Sequence, residues 1–267
     1  MILVEHPRPQ VALITLNRPE RMNSMAFDVM VPLKAALEDI TYDNSVRVVV
    51  LTGAGKGFSS GADHKSAGEV PHVQSLTRPT YALRSMAILD DVILALRRLH
   101  QPVIAAVNGA AIGGGLCLAL AADIRVAASG AYFRAAGINN GLTASELGLS
   151  YLLPRAIGSS RAFEIMLTGR DIDAAEAERI GLVSRQVPAD QLLETCYEMA
   201  ERIAAFSRPG VELTKRTLWS GLDAANLEGH MQAEGLGQLF VRLLTTNFEE
   251  AVVARAEKRP PVFTDDT

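Results

Sequence analysis

Cysteine is scarce in this chain. The two present, Cys117 and Cys196, lie inside apolar stretches and form neither a metal-ligand spacing nor a disulfide framework, which fits a reducing compartment. No metal site is expected. Basic tracts are also missing: the formal charge is −4 with both signs spread along the sequence, so neither nucleic acid nor a membrane surface is an expected partner. The longest apolar run, around Leu116 to Ala122, falls far short of the about 20 residues that span a bilayer. Met1 to Gln10 shows no long apolar core behind a basic start, so no signal peptide is read there and the cytoplasm is the expected location. Internal repeats and low-complexity tracts are absent. What is there is ordinary for a globular protein: 267 residues, 48% apolar and 21% charged, enough for one large domain or a domain with a small appendage.

Periodicity supplies the elements. Val11 to Leu16 reads as a strand ended by Asn17-Arg18-Pro19. Val29, Leu33, Leu37 and Ile40 recur at helical spacing. Val46 to Leu51 and Pro102 to Val107 are short β-branched runs of the kind found in buried strands, and Asp123 to Ala127 returns to strand. Ile88, Val92, Ala95, Leu96 and Leu99 form a second helical stripe, and the polar stretch from Ser59 to Arg78 is irregular in part. Alternation of strand and helix with short loops predicts an α/β architecture around a parallel sheet. Past about Ala189 strand-like runs disappear, and helical periodicity continues to about Lys258, with breaks expected at Pro209, Gly221, Gly229, Gly235 and Gly237.

Two glycine-containing loops each follow a strand. One ends Gly57-Phe-Ser-Ser-Gly-Ala-Asp63; the other, Asn108 to Gly115, leads into the apolar run Leu116 to Ala122. A helix start offers unpaired N–H groups and the positive end of the dipole, and glycine lets a ligand approach the backbone. Two such donors aimed at one oxygen make an oxyanion hole. Taken singly, each loop is equally explained by tight strand–helix packing. The segment Gly53-Ala-Gly55-Lys-Gly57 is not a nucleotide loop: Lys56 is followed by Gly57 rather than Ser or Thr, and a polar loop follows instead of a helix.

The wording of these loops resembles the enoyl-CoA hydratase/isomerase (crotonase) family. It is carried by Gly61-Ala62-Asp63 after Phe58-Ser-Ser, and by Ala105-Ala-Val-Asn-Gly109 running into Gly113-Gly-Gly115. Leu16-Asn-Arg-Pro19 with Asn23, Leu167 to Arg170, Ala174 to Ala177 leading to Gly181-Leu-Val183, and Glu257 to Pro260 with Phe263 add to it. The likeness runs in order over nearly the whole chain. It implies a crotonase-like spiral of ββα units over residues 1–200 and a helical C-terminal trimerisation segment over 201–267. It implies an acyl-coenzyme A thioester as substrate, fatty-acid or related acyl-CoA metabolism, no separate cofactor, and a homotrimer or dimer of trimers. By position, the oxyanion-hole amides fall on Ala62 and Gly114, and Ala62-Asp63-His64-Lys65 matches the segment that lies along coenzyme A. Lys65 is a candidate for its phosphates, against a reading as a solvated surface lysine, and Arg18 and Arg21 near the end of the first strand are weaker candidates.

The chain departs from the family where hydratases carry two glutamates. One position holds Cys117 and the other, four residues after Phe133, holds Gly137; neither can orient a water and protonate a carbon as a carboxylate pair does. Glu146, in Thr143-Ala-Ser-Glu-Leu-Gly148, falls at about the place where dienoyl-CoA isomerases of this family carry a catalytic aspartate. Apolar neighbours Leu147, Leu149 and Leu152 are expected to raise its pKa. The competing role is a capping or first-turn glutamate on a helix from Ser145. One base suffices to move a double bond, so isomerisation is favoured over hydration. The alternatives are a hydratase using Glu146 and a bound water, or a catalytically silent acyl-CoA binder.

Other polar residues carry weaker expectations. His64 and Asn139 are candidates for substrate contact, against readings as a surface histidine and an ordinary turn residue. Asp63 is a candidate for substrate contact or, with more support, for holding its loop through backbone N–H groups. Cys117 reads as filler on an apolar helix. Met231, Leu236, Leu239, Phe240 and Leu243 give an apolar stripe suited to assembly between subunits or to folding back on the core.

Overall fold

The computed structural model describes residues 1–264. The elements, in chain order, are β1 (Ile2–Arg8), β2 (Val11–Leu16), α1 (Phe27–Tyr42), β3 (Val48–Gly53), β4 (Gly57–Ser59), α2 (Arg78–Arg98), β5 (Val103–Val107), β6 (Ala110–Ile112) and α3 (Gly114–Ala121). There follow β7 (Ile124–Ala128), β8 (Tyr132–Arg134), α4 (Leu149–Ile157), α5 (Ser159–Thr168), β9 (Asp171–Asp173), α6 (Ala174–Arg179), β10 (Arg185–Val187), α7 (Leu192–Ala204), α8 (Arg208–Gly221), α9 (Leu227–Leu244) and α10 (Asn247–Glu257).

From β3 to β8 the strands are dealt alternately to two sheets. The larger has the order β1-β2-β3-β5-β7-β10, parallel except for the antiparallel edge strand β1; the smaller has the order β4-β6-β8-β9. Each turn of the chain thus lays one strand in the large sheet, a three-residue strand in the small one, and then a helix. β5, β6 and α3 are the clearest case. In the first turn the short strand has shrunk to the single parallel bridge between Met25 and Ala62.

The continuous apolar runs of β2, β3 and β5 follow from burial on both faces. Side chains alternate along a strand, so Ala12, Ile14 and Leu16 join the inter-sheet core with Val49, Leu51, Val103 and Ala105. Val11, Leu13, Val48, Val50, Ile104 and Ala106 point the other way, where Leu192, Cys196, Tyr197 and Ala200 of α7 cover them. All eight residues of α3 are buried, as its unrelieved apolarity requires.

Several local expectations are revised. β1 is a strand although Val4 to His6 are exposed, because an edge strand needs only one partner. The helical run is interrupted between α7 and α8 as expected near Pro209, which sits in the first turn of α8, where its missing N–H costs nothing. Gly229, Gly235 and Gly237 lie within the continuous helix α9. No helix forms from Ser145: α4 starts at Leu149, after Leu147 and Gly148 take positive φ of 45° and 79°. After β10 only helices follow among the described residues; residues 265–267 of the expected 201–267 segment lie outside them. No described helix is long and apolar enough to cross a membrane.

Candidate active site

The first loop is fixed by hydrogen bonds to the backbone around Met25. The Met25 N–H donates to the Gly61 carbonyl (2.7 Å) and the Asp63 N–H donates to the Met25 carbonyl (3.0 Å). In a parallel bridge the residue between those two groups turns its own N–H to the opposite side, so the Ala62 amide points away from Met25. The Asn23 side-chain amide holds the entry by donating to the carbonyls of Ala54 (2.9 Å) and Gly57 (2.8 Å).

Asp63 anchors the exit. Its carboxylate accepts Arg18 (2.8 Å), Arg21 (2.6 Å), the Ser24 hydroxyl (3.1 Å) and the N–H groups of Lys65 and Ser66 (2.9 Å each). The Arg21 guanidinium, with these other donors, holds the carboxyl well below the usual carboxylate range despite its burial. Of the two roles open to Asp63 the loop-holding one is realised, and its side chain is not offered to a substrate. Arg21 bonds Asp63 through one guanidinium nitrogen, and its side chain remains 32% exposed. The Asp63 partner lies 42 residues away in the chain, so local sequence gives no sign of this contact.

The second loop brings Gly114 to the same place. Gly113 takes φ 53° and ψ −119°, accessible to glycine but not to a residue with a Cβ. Gly114 then opens α3, so its N–H has no intrahelical acceptor. A Cβ at Gly61, whose φ is 79°, would lie 2.5 Å from the Ile112 carbonyl oxygen and 3.3 Å from the Gly114 nitrogen. A Cβ at Gly114 would collide with the Met25 sulfur. The two loops therefore abut with no room for a side chain between them. Ala62 is exposed beside the buried Gly61, Gly113 and Gly114.

Glu146 faces this junction. Its Oε1 lies 3.1 Å from where a Cβ on Gly113 would stand, with Ala136 beyond. The side chain is half-buried, and no hydrogen-bond donor reaches its carboxylate among the described residues. Burial raises its pKa, partly offset by the positive form of His64 across the site. The capping role is excluded by geometry: Glu146 precedes a left-handed turn, and its carbonyl accepts the Leu149 N–H at 2.7 Å. A bulky residue such as Leu147 at positive φ is costly and marks a site whose surroundings impose it.

The remaining candidates separate. His64 and Lys65 are exposed next to Ala62. Asn139 is not assembled with them as a donor: its amide donates to the Gly169 carbonyl at 3.1 Å, tying the 138–140 turn to the end of α5. Cys117 is fully buried, its thiol pushed well up by burial and held as a neutral donor to the Glu146 carbonyl (3.5 Å). Gly137 has no space for a side chain, because a Cβ there would fall on the Thr143 carbonyl oxygen. Met25 went unnoticed in the sequence, since only the fold brings its backbone to Ala62.

A cavity of about 750 Å³ lies elsewhere, at the far end of α3 beneath α8. Its wall carries a buried cluster in which Asp123 accepts Lys215 (2.8 Å) and the Trp219 indole N–H (2.6 Å). No group of three or more potential metal ligands occurs among the described residues.

Comparison with known proteins identifies the family. The family model described as "Enoyl-CoA hydratase/isomerase" matches residues 8–266. A Mycobacterium tuberculosis protein named probable enoyl-CoA hydratase EchA12 is 85% identical over 267 residues, covering 100% of this chain and 94% of its own length. The crystal structure of a probable enoyl-CoA hydratase/isomerase from Mycobacterium abscessus is 72% identical, covers 100% of both chains, and superimposes with a TM-score of 0.96. That of a monofunctional enoyl-CoA isomerase from M. smegmatis is 73% identical, covering 86% of this chain and 98% of its own, with a TM-score of 0.74. With its ββα spiral, its two abutting glycine loops and these relatives, the chain belongs to the enoyl-CoA hydratase/isomerase family and has the crotonase fold.

Proposed function

We propose that the protein is a one-base enoyl-CoA isomerase that works through a thioester enolate. The amides of Ala62 and Gly114 donate to the thioester carbonyl oxygen. Glu146 removes a proton from one carbon of the acyl group; the C–H electrons move into a new double bond, the original one shifts, and the carbonyl oxygen takes the negative charge. Collapse of the enolate restores the carbonyl while Glu146 returns its proton to another carbon of the same chain. Nothing is consumed, so coenzyme A enters only as part of the substrate and no separate cofactor is required.

The observation that carries this reading is a single carboxylate, half-buried and without a donor, set against the start of α3 where the two glycine loops meet. A raised pKa is what proton exchange with carbon near neutrality requires. The likeness to a monofunctional isomerase supports the same choice. The names of other relatives favour a second reading, hydration with Glu146 and a bound water.

His64 and Lys65 are assigned to the acyl-CoA ligand, with Lys65 toward its phosphates. The exposed Leu236, Leu239, Phe240 and Leu243 of α9 support a homotrimer or dimer of trimers. Fatty-acid or related acyl-CoA metabolism in the cytoplasm is the setting that fits. The test is a panel of CoA thioesters of differing length and double-bond position, assayed for both isomerisation and hydration with wild type and Glu146→Gln. Isomerisation lost in the mutant supports the proposal. Fast hydration of crotonyl-CoA selects the second reading, and thioester binding without turnover selects a silent binder.

A further inference from the structure

We infer that Cys117 and Gly137 are positioning residues that set the Thr143–Leu147 loop and thereby aim the Glu146 carboxylate at the junction of the two glycine loops. This rests on Glu146 acting as the base.

The loop is held at both ends. The Cys117 thiol, one turn into α3, donates to the Glu146 carbonyl, which also accepts the Leu149 N–H. The Glu146 backbone is therefore tied to the same helix whose first amide is Gly114. Burial keeps that thiol protonated, hence a donor and not a nucleophile. At the other end the Thr143 carbonyl occupies the space that any side chain at 137 would fill. The Gly137 carbonyl accepts the N–H groups of Asn140 and Leu142 (3.0 Å each), closing the turn that delivers Thr143. Between these anchors Leu147 is held in the left-handed region.

The two small residues are thus the condition for the loop to close, and the second carboxylate position is filled by backbone. Restoring glutamates at both positions would displace the loop without creating a water-activating pair.

The test compares Cys117→Ala, Cys117→Ser and Gly137→Ala with wild type. Readouts are kcat, KM, the pH at which the acidic limb of kcat/KM falls, and the Kd of an unreactive saturated acyl-CoA. Gly137→Ala is expected to lower kcat about 10²-fold, the order a displacement near 1 Å produces, with Kd within about twofold of wild type. Cys117→Ala should lower kcat about 3- to 10-fold, as loss of one hydrogen bond does, with a shifted pH limb and partial rescue in Cys117→Ser. The double variant Cys117→Glu/Gly137→Glu should gain no hydration.

Unchanged kcat and pH profile in the Cys117 variants, with Glu146→Gln inactive, would overturn the inference while leaving the base intact. The same holds if the double variant hydrates crotonyl-CoA. Full activity of Glu146→Gln would instead remove the base and the inference together. If Gly137→Ala does not fold, the Cys117 pair decides.

Discussion

Gly61→Ala tests the two-amide junction without touching an ionisable group. Its φ of 79° is a left-handed conformation that costs a residue with a Cβ about 1–2 kcal/mol. The new Cβ would also stand 2.5 Å from the Ile112 carbonyl oxygen and 3.3 Å from the Gly114 nitrogen. Relieving the first contact requires a shift of roughly 0.7 Å between the 61–62 segment and the β6–α3 connection. A hydrogen bond stretched by that much from about 2.9 Å passes the limit at which it counts as one. At least one oxyanion donor is then lost, worth about 10²–10³ in kcat. Stability should fall by about 1–3 kcal/mol, leaving the variant folded at 25 °C. Steady-state isomerisation with the best substrate of the panel, beside a urea titration, measures both. If kcat stays within threefold of wild type while stability drops as expected, the junction of residues 62 and 114 is not where charge develops.

Other predictions follow from the charges. As a base Glu146 must be ionised, and burial raises its pKa, so kcat/KM should fall with acidification at a pH above the ordinary carboxylate range. His64→Gln removes the positive charge that opposes the shift and should move that limb to higher pH; a limb that moves down or stays would exclude His64 from the site. Because the folded pKa of Glu146 is raised, its contribution to stability is complete below the unfolded value and is lost as pH rises through the folded one. Glu146→Gln should therefore raise Tm at pH 8 and leave it little changed at pH 4, a comparison read by thermal denaturation. Asp123→Ala leaves Lys215, whose side chain is 6% exposed, without its counter-charge, and should destabilise by about 3–5 kcal/mol in a urea titration. An effect below about 1 kcal/mol would show that solvent in the adjoining cavity screens the pair.

Local pattern determined the ladder strands, the helices α1 and α3, the two glycine loops and the buried character of α3. In these segments the residues that set the conformation are adjacent or one turn apart, so periodicity reports them directly. The strands of the small sheet are three residues long, too short to show a period. β1 is an exposed edge that only pairing with β2 reveals. The glycines of α9 did not interrupt it, since a glycine in a helix costs about 1 kcal/mol and the rest of an 18-residue helix outweighs that.

At the site, the family resemblance indicated the candidate residues, and the tertiary structure decided which of them have their side chains engaged elsewhere. Asp63 and Arg21 are 42 residues apart and satisfy each other; Asn139 is drawn to Gly169. Glu146 was legible as a candidate through the family resemblance, which places a catalytic aspartate at about that position, and its apolar neighbours supplied only the expected direction of its pKa. That it is a loop carboxylate and not a helix cap depended on the Thr143 carbonyl closing over Gly137 and on a thiol from α3. Such contacts join chain segments far apart in sequence, and no local pattern encodes the direction in which a side chain points across them.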